Sequence, residues 1–234
     1  MKIFSPESWI LTALAIVLLA GHAGLAQVPS AGSRTGINAA FIKLFGTNSA
    51  FTAKVDTRVV DPYQRELVRM PMDFAALGSK VRLEINLAQM QGQDFSSSTV
   101  AALKQAGMDR MVTVFRPDKQ ATYIIYPGVQ SYQNLPMAKG EAEAFEKGLK
   151  LEKTALGKET IDGHACVKNK VIVSGEKGPV LEATTWNATD LKDFPLQVQL
   201  KERANTVLMH FTQVRFVKPD ARQFELPANY GQMK

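Results

Sequence analysis

Apolar residues at helical spacing mark three short segments of the chain. "INAAFIKLFG" repeats apolar residues every three or four positions and stops at Gly46, which predicts a short amphipathic helix. "FSSSTVAALKQAGM" begins with serines that can cap a helix and ends at Gly107. "AKGEAEAFEKGLK" is rich in helix-forming alanine and glutamate and ends near Gly148. The pattern therefore predicts three short helices.

Alternating apolar and polar residues occupy most of the remaining chain. "AFTAKVDTRVV" and "SKVRLEINLA" show the period of half-buried strands, and "ELVRMPMDFA" does too, with Pro71 indicating an edge or a bulge. "MVTVFRPDKQATYIIYPGVQSYQNLP" predicts a hairpin and a third strand, and residues from Leu151 onward read as an antiparallel meander. No Gly-rich phosphate loop and no strand-helix alternation occurs. We expect an α+β fold with one curved antiparallel sheet of about ten strands.

The first residues have the layout of a secretory signal peptide. Lys2 precedes an apolar run from Trp9 to Ala20, and Gly24 and Ala26 are the small residues of a cleavage site after Ala26. An uncleaved anchor is the alternative, but the run is short for a bilayer. We therefore predict a signal peptide at 1–26, a flexible lead at 27–36, a domain at 37–234 without a membrane span after cleavage, and a periplasmic location.

Charge and the rare residues exclude several classes of protein. The chain has 28 basic and 22 acidic residues, and loss of the signal peptide removes one of each, so the net charge stays +6. Without a basic run, this excess favours anionic surfaces, such as lipid, over nucleic acid. The single cysteine allows no internal disulfide, and the two histidines beyond residue 26 have no zinc-ligand spacing. We expect no metal and no cofactor.

One segment, "GKETIDGHACVKNKVIVSG", raises the possibility of catalysis. Asp162, His164 and Cys166 occupy every second position, so they are either a catalytic trio or neighbours on one polar face of a strand. Same-face neighbours lie about 7 Å apart, too far for proton transfer, and no oxyanion hole is evident. We therefore place the three residues on the sheet surface, expect no catalytic residue, and predict that the protein is not an enzyme.

Three further segments carry a resemblance to a known family. "FRPDKQATYIIYPGVQSYQ", "TTWNATDLKDFPLQVQL" and above all the ending "FVKPDARQFELPANYGQM" resemble the LolA/LolB-type superfamily and related exported domains. The resemblance implies an incomplete antiparallel β-barrel whose concave apolar face is covered by the helices. It also implies a carrier of lipid or lipoprotein acyl chains at the cell envelope. The arginine associated with lid closure in carriers has no clear counterpart here.

If the sheet curls as the resemblance implies, one face of the strands lines a cavity. The implied lining residues are Phe51, Val55, Val59, Leu83, Ile85, Trp186, Leu196 and Val198, beneath lid residues Phe41 and Leu103. Two alternatives remain open: these side chains, with Trp186 as a packed anchor, fill the interior themselves, or they leave room for a ligand. A filled interior would instead favour an envelope module that binds a protein partner and carries no lipid.

Overall fold

The computed structural model describes residues 37–92, 96–176 and 178–233. The predicted signal peptide at 1–26 and the predicted lead at 27–36 lie outside the described residues. The helices are α1 Ile37–Lys43, α2 Ser97–Gln105 and α3 Lys139–Lys147. All three predicted helices are confirmed, and the Ser96 hydroxyl caps α2 by accepting from the backbone N–H of Thr99.

Thirteen strands occur in the described residues, against about ten predicted. The two shortest, β4 and β13, have two residues each and carry no alternation that a sequence pattern could reveal. The strands are β1 Ala50–Val60, β2 Glu66–Leu77, β3 Lys80–Asn86, β4 Gln91–Gly92, β5 Arg110–Arg116, β6 Ala121–Tyr126, β7 Ser131–Pro136, β8 Lys150–Ile161, β9 His164–Gly175, β10 Gly178–Ala188, β11 Phe194–Glu202, β12 Asn205–Arg215 and β13 Gly231–Gln232.

The strands form one sheet in the order β13-β7-β6-β5-β3-β2-β1-β12-β11-β10-β9-β8, with β4 paired to β2. Every pairing is antiparallel except that of β13 with β7. The two end strands, β8 and β13, are not paired with each other in the described residues, so the barrel is incomplete. The α+β fold with an open antiparallel sheet and three helices is confirmed.

Ring contacts between strands that are not neighbours show that the sheet curls. Phe51 in β1 lies 4.9 Å from Phe194 in β11, with β12 between them. Phe74 in β2 lies 5.8 Å from Phe211 in β12, with β1 between them. Such contacts require a concave face, because side chains on a flat sheet stand roughly parallel. The large apolar cluster on this face, defined by these four rings and the side chains around them, is called the main cluster below.

Pro71 lies in an interior strand of the sheet. The alternative prediction of a position at a sheet edge is therefore wrong. Pro71 pairs with Asp56 of β1 without a register shift. On the other side of β2, however, the β3 pairing ends at Met72 and the β4 pairing begins at Arg69. Pro71 therefore occupies a gap in the second ladder, where a residue without a backbone N–H is tolerated.

A second, smaller cluster lies on the opposite, convex face. It contains Ala75, Val112, Val114, Ile125 and Phe224. Phe224 belongs to a short 3-10 turn in the C-terminal segment 217–233, which crosses the outside of the sheet and ends in β13. We call this segment the strap. The strap thus covers the part of the convex face that is formed by β3 and β5.

Candidate functional site

The main cluster is built around aromatic rings that converge on Phe45, in the turn after α1. The Phe45 ring lies between 5.0 and 5.6 Å from the rings of Phe51, Phe74, Phe194 and Phe211. Aromatic pairs at these separations are favourable beyond the area that they bury. The alternation of each strand places one ring per contributing strand on the concave face. The segment around α1 therefore contributes the centre of the cluster.

All eight strand residues predicted to line a cavity are buried on this face. The most exposed of them, Ile85, has 6% of its surface accessible, and all belong to the main cluster: Phe51, Val55, Val59, Leu83, Ile85, Trp186, Leu196 and Val198. Phe41, predicted in the lid, is 1% exposed in the same cluster. Their contact with a ligand stays a prediction.

One apolar pocket opens at the seam between α1 and the strands β3 and β5. Its volume is about 10 Å³, which is room for about one water molecule. The lining residues are Asn38, Phe41, Ile42, Val81, Leu83, Thr113 and Phe115. Ligand pockets usually measure about 300 Å³ or more. The described apolar side chains of the concave face are buried against one another, and we call the gap beside α1 the α1 seam.

The lid over the main cluster consists of α1 and α3. The Glu141 carboxylate of α3 is 4% exposed and accepts hydrogen bonds from the backbone N–H groups of Asn38 and Ala39, at 3.0 and 3.2 Å. Phe145 of α3 packs on Phe115 of β5, with their rings 5.2 Å apart. Because the first N–H groups of a helix have no partner within it, Glu141 satisfies two of them. One carboxylate thus joins the two lid helices.

Leu103, the other predicted lid residue, lies elsewhere. It is half-exposed, no residue of α2 is buried, and Leu103 is not among the described side chains that pack on the main cluster. The helix packs beside the short turn Leu87–Gln89 instead. The sequence signal for α3 as the second lid helix was Phe145, a single aromatic residue in a run of alanine, glutamate and lysine.

Asp162, His164 and Cys166 do not form a trio. Asp162 lies in the β8–β9 turn with φ +49° and contacts Nε2 of His210 at 2.8 Å. Nδ1 of His164 instead contacts Asp190 at 2.7 Å. The nearest polar contact of the thiol is the His164 carbonyl, which accepts from Sγ at 3.5 Å. Each side chain of the expected trio therefore has a different partner.

The expectation that Cys166 lies on the polar surface is wrong. It is 1% exposed and pairs with buried Ala188 of β10. Irregularities flank this region on both sides: Leu196 of β11 separates the partners of Trp186 and Asn187, and Leu156 of β8 separates the partners of Asn169 and Lys168. Such a bulge exchanges the two faces of the pairing. Burial raises the pKa of the Cys166 thiol, so the thiolate that nucleophilic chemistry needs is disfavoured.

Trp186 is 4% exposed and is held by two charged neighbours. Its indole N–H donates to the Glu159 carboxylate at 2.7 Å, and the Lys168 ammonium lies 4.9 Å from the ring centre. A buried indole with a satisfied N–H is typical of a packing anchor. The geometry therefore supports the packed alternative for Trp186 over an open ligand wall.

Two further features concern the metal-ligating side chains and the helices of the described part of the chain. Residues 37–92, 96–176 and 178–233 contain no group of three or more His, Cys, Asp or Glu side chains that could hold a metal ion. Within the same ranges, no helix has the length and hydrophobicity that a membrane span requires.

Comparisons with known proteins give distant structural likenesses. No protein-family profile and no curated protein matches the chain. Among solved structures, a LolA superfamily protein from Nitrosomonas europaea is 10% identical, with a TM-score of 0.41 over 80% of this chain and 94% of that chain. Lipoprotein LppX from Mycobacterium tuberculosis is 12% identical, with a TM-score of 0.38 over 76% and 93% of the two chains. LprF from Mycobacterium bovis is 12% identical, with a TM-score of 0.36 over 82% and 95%.

These are distant likenesses, each at 12% identity or less and with a TM-score below 0.5. The function proposed next rests on this chain's own contacts.

Proposed function

We propose that this protein is an exported binding protein that holds an acyl chain of a lipid or lipoprotein at the α1 seam. The observation that carries the proposal is the seam itself, an apolar gap with the lid helix on one side and the sheet on the other. Phe41 and Ile42 of α1 face Val81, Leu83 and Phe115 across it. A chain would enter by moving α1 away from β3 and β5 and taking the place of Phe41 and Ile42.

The energetics favour long chains. Full burial of a large apolar side chain contributes about 1.5–3 kcal/mol, so displacing Phe41 and part of Ile42 costs about 5 kcal/mol. Each buried methylene returns about 0.8 kcal/mol, so about six methylenes balance the displacement. For a sixteen-carbon chain, the free energy gained by burial would then exceed the cost of displacement by several kcal/mol. The entropy lost when the chain becomes ordered reduces this difference. Chains of eight carbons or fewer would bind weakly.

The attachment of α1 suits such a movement. A helix of seven residues has little stability of its own, so its place depends on the contacts that it makes. At its C-terminal side, Gly46 ends the helix with φ +59°, a conformation that glycine adopts without strain, and the preceding Phe45 holds the chain in the main cluster. At its N-terminal side, the contact with Glu141 keeps α1 near α3. The helix is thus tethered at both ends and can shift sideways.

The proposed setting is the periplasm, after cleavage of the signal peptide behind Ala26. The net charge of +6 would favour approach to anionic lipid surfaces, where acyl chains are exchanged. Asp162, His164 and Cys166 each contact a different partner and so do not form a catalytic trio. We therefore propose a binding role without catalysis.

Two phenylalanines that are buried to the same extent but lie at different places in the fold test this proposal. Phe41 at the seam is 1% exposed and Phe224 beneath the strap is 0% exposed. Alanine at either position should cost about 3–5 kcal/mol of stability by leaving a cavity. Only Phe41→Ala opens the seam, so it should bind a pyrene-labelled sixteen-carbon alcohol at least tenfold more tightly than the wild type. Phe224→Ala should bind as the wild type does.

The milder variants Phe41→Leu and Phe224→Leu keep the comparison available if an alanine variant does not fold. Circular dichroism would establish that each variant is folded before binding is measured. Equal affinity of Phe41 and Phe224 variants would contradict binding at the seam.

A second function is favoured by the filled interior: an envelope module that binds a protein partner and carries no lipid. Its supporting observation is the volume of about 10 Å³, far below that of an open ligand pocket. Mass spectrometry of an organic extract from gently purified protein separates the two. Co-purified acyl lipid supports the carrier, while folded protein free of lipid and without uptake of any probe favours the module.

A further inference from the structure

A buried polar atom without a partner lies in the α1 seam. Asn38 is 7% exposed, and its buried side-chain Oδ1 accepts no hydrogen bond from any residue that the structure describes. The residue lines the seam pocket, where Thr113 is the only other polar residue among those that form its wall. Buried carboxamide oxygens in folded proteins nearly always have a donor. This oxygen therefore marks a place where a hydrogen-bond donor is expected.

The backbone around this atom is fixed. Glu141 accepts from the N–H of Asn38 at 3.0 Å and from that of Ala39 at 3.2 Å. These contacts hold the first turn of α1 against α3, and the Asn38 side chain remains at the pocket wall. The unpaired oxygen thus belongs to a residue whose backbone is anchored to the lid.

The surroundings favour a neutral donor. The facing side chains, Phe41, Ile42, Val81, Leu83 and Phe115, are apolar. An ammonium group would lose its hydration among them, which is costly, and the Glu141 carboxylate nearby already accepts from the N–H groups of Asn38 and Ala39. A carboxylate has no proton to donate and would face the Asn38 oxygen. A hydroxyl or an amide N–H satisfies both conditions.

We propose that Asn38 is the head-group contact of the acyl-chain site and accepts a hydrogen bond from a hydroxyl or amide N–H next to the chain. The inference rests on the proposed function and narrows its ligand to neutral lipids with a donor, such as N-acyl amides or monoacylglycerols. Esters without a donor and ionised fatty acids bind less well, because they leave the Asn38 oxygen unsatisfied.

A pair of probes that differ by one methyl group tests the contact. N-hexadecylacetamide has an N–H donor, and N-hexadecyl-N-methylacetamide has none. Both compete with a pyrene-labelled sixteen-carbon alcohol for the wild-type protein. The secondary amide should bind about tenfold more tightly than the tertiary amide, since a buried acceptor left unpaired costs about that factor.

Two variants complete the experiment. Asn38→Leu removes the acceptor and keeps a side chain of similar size, so the tenfold preference should disappear. Thr57→Val is the matched control: Thr57 is 1% exposed and its hydroxyl also lacks a partner, but it lies in β1 and does not line the pocket. It should keep the preference. If Asn38→Leu does not fold, slowed exchange of the ¹⁵N-labelled amide proton in the wild-type complex reports the same hydrogen bond.

The outcomes separate this inference from the proposed function. Equal binding of both amides to the wild type, or an unchanged preference in Asn38→Leu, would overturn the head-group contact while leaving acyl-chain binding intact. Failure of the wild type to bind the pyrene alcohol and both amides would overturn both.

Discussion

At the level of single residues, close packing restricts which side chains the fold can accommodate. Gly128, in the turn after β6, approaches Gly107 behind α2 so closely that a Cβ on Gly128 would lie 2.3 Å from the Gly107 carbonyl oxygen. Gly107 has φ +66°, a conformation that glycine adopts without strain. The two glycines thus allow α2 and the β6–β7 turn to meet backbone to backbone.

We expect Gly128→Ala to lower the free energy of unfolding by about 1–3 kcal/mol, because the backbone must move to accept the methyl group. Thermal unfolding followed by circular dichroism measures the loss. Gly175→Ala is the control: its Cβ would meet nothing closer than 3.4 Å, and β9 extends to this residue. Its unfolding temperature should stay near that of the wild type; equal losses in both variants would refute the packing argument.

Between elements, a buried arginine joins the strap to the sheet. Arg116 of β5 has 3% of its side chain exposed, donates to the Phe224 carbonyl at 2.7 Å, and pairs with Asp118 and Glu225. The hydrogen bond from Arg116 lowers the pKa of Asp118 to about 2. An ionised Asp118 therefore helps to hold the Arg116 side chain, which attaches the strap to the sheet.

The pH dependence of this attachment has a definite sign. Because the folded-state pKa of Asp118 is below its ordinary value of 3.8, its contribution is fully present above about pH 4 and is lost as the pH falls towards 2. The carboxylate is 43% exposed, so we expect only about 1 kcal/mol. Asp118→Asn should be less stable than the wild type by this amount at pH 6 and equal to it near pH 2. A difference that is constant with pH would contradict the pairing.

The two lid helices depend on Glu141 in a comparable way. Glu141→Ala leaves the N–H groups of Asn38 and Ala39 without their acceptor, so their hydrogen exchange should accelerate by about tenfold or more. Glu141→Gln retains an acceptor oxygen and should show a smaller change. Glu143→Ala, in the same helix, is the control and should leave exchange in α1 unchanged. Unaltered exchange in Glu141→Ala would show that α1 is held by its apolar contacts alone.

The sequence predicted most elements of the fold and part of the site. Alternation along β1 gave the buried residues Phe51, Val55 and Val59 correctly, because β1 pairs with regular strands for most of its length. It failed for Cys166, since irregularities in β8 and β11 leave no mark on the pattern of β9. The prediction also placed Leu103 of α2 in the lid because it is apolar, and gave too little weight to Phe145, the single aromatic residue of α3, which packs on Phe115.

For the whole molecule, the central question is whether the curled sheet acts as a filled core or as a binding groove. The main cluster is closely filled, with aromatic rings from β1, β2, β11 and β12 around Phe45. A filled groove can still bind long chains if moving the helix that fills it costs less free energy than burial of the ligand provides. The α1 seam is where this exchange would begin.

The most direct measurement is the chain-length dependence of binding to the wild-type protein. Unbranched alcohols from six to eighteen carbons would compete with the pyrene-labelled sixteen-carbon alcohol in a titration at constant pH and salt. The account predicts negligible binding up to about eight carbons, then an affinity that rises about threefold to fourfold with each further methylene, in keeping with about 0.8 kcal/mol per group. Absence of binding at every length, or an affinity independent of length, would contradict it.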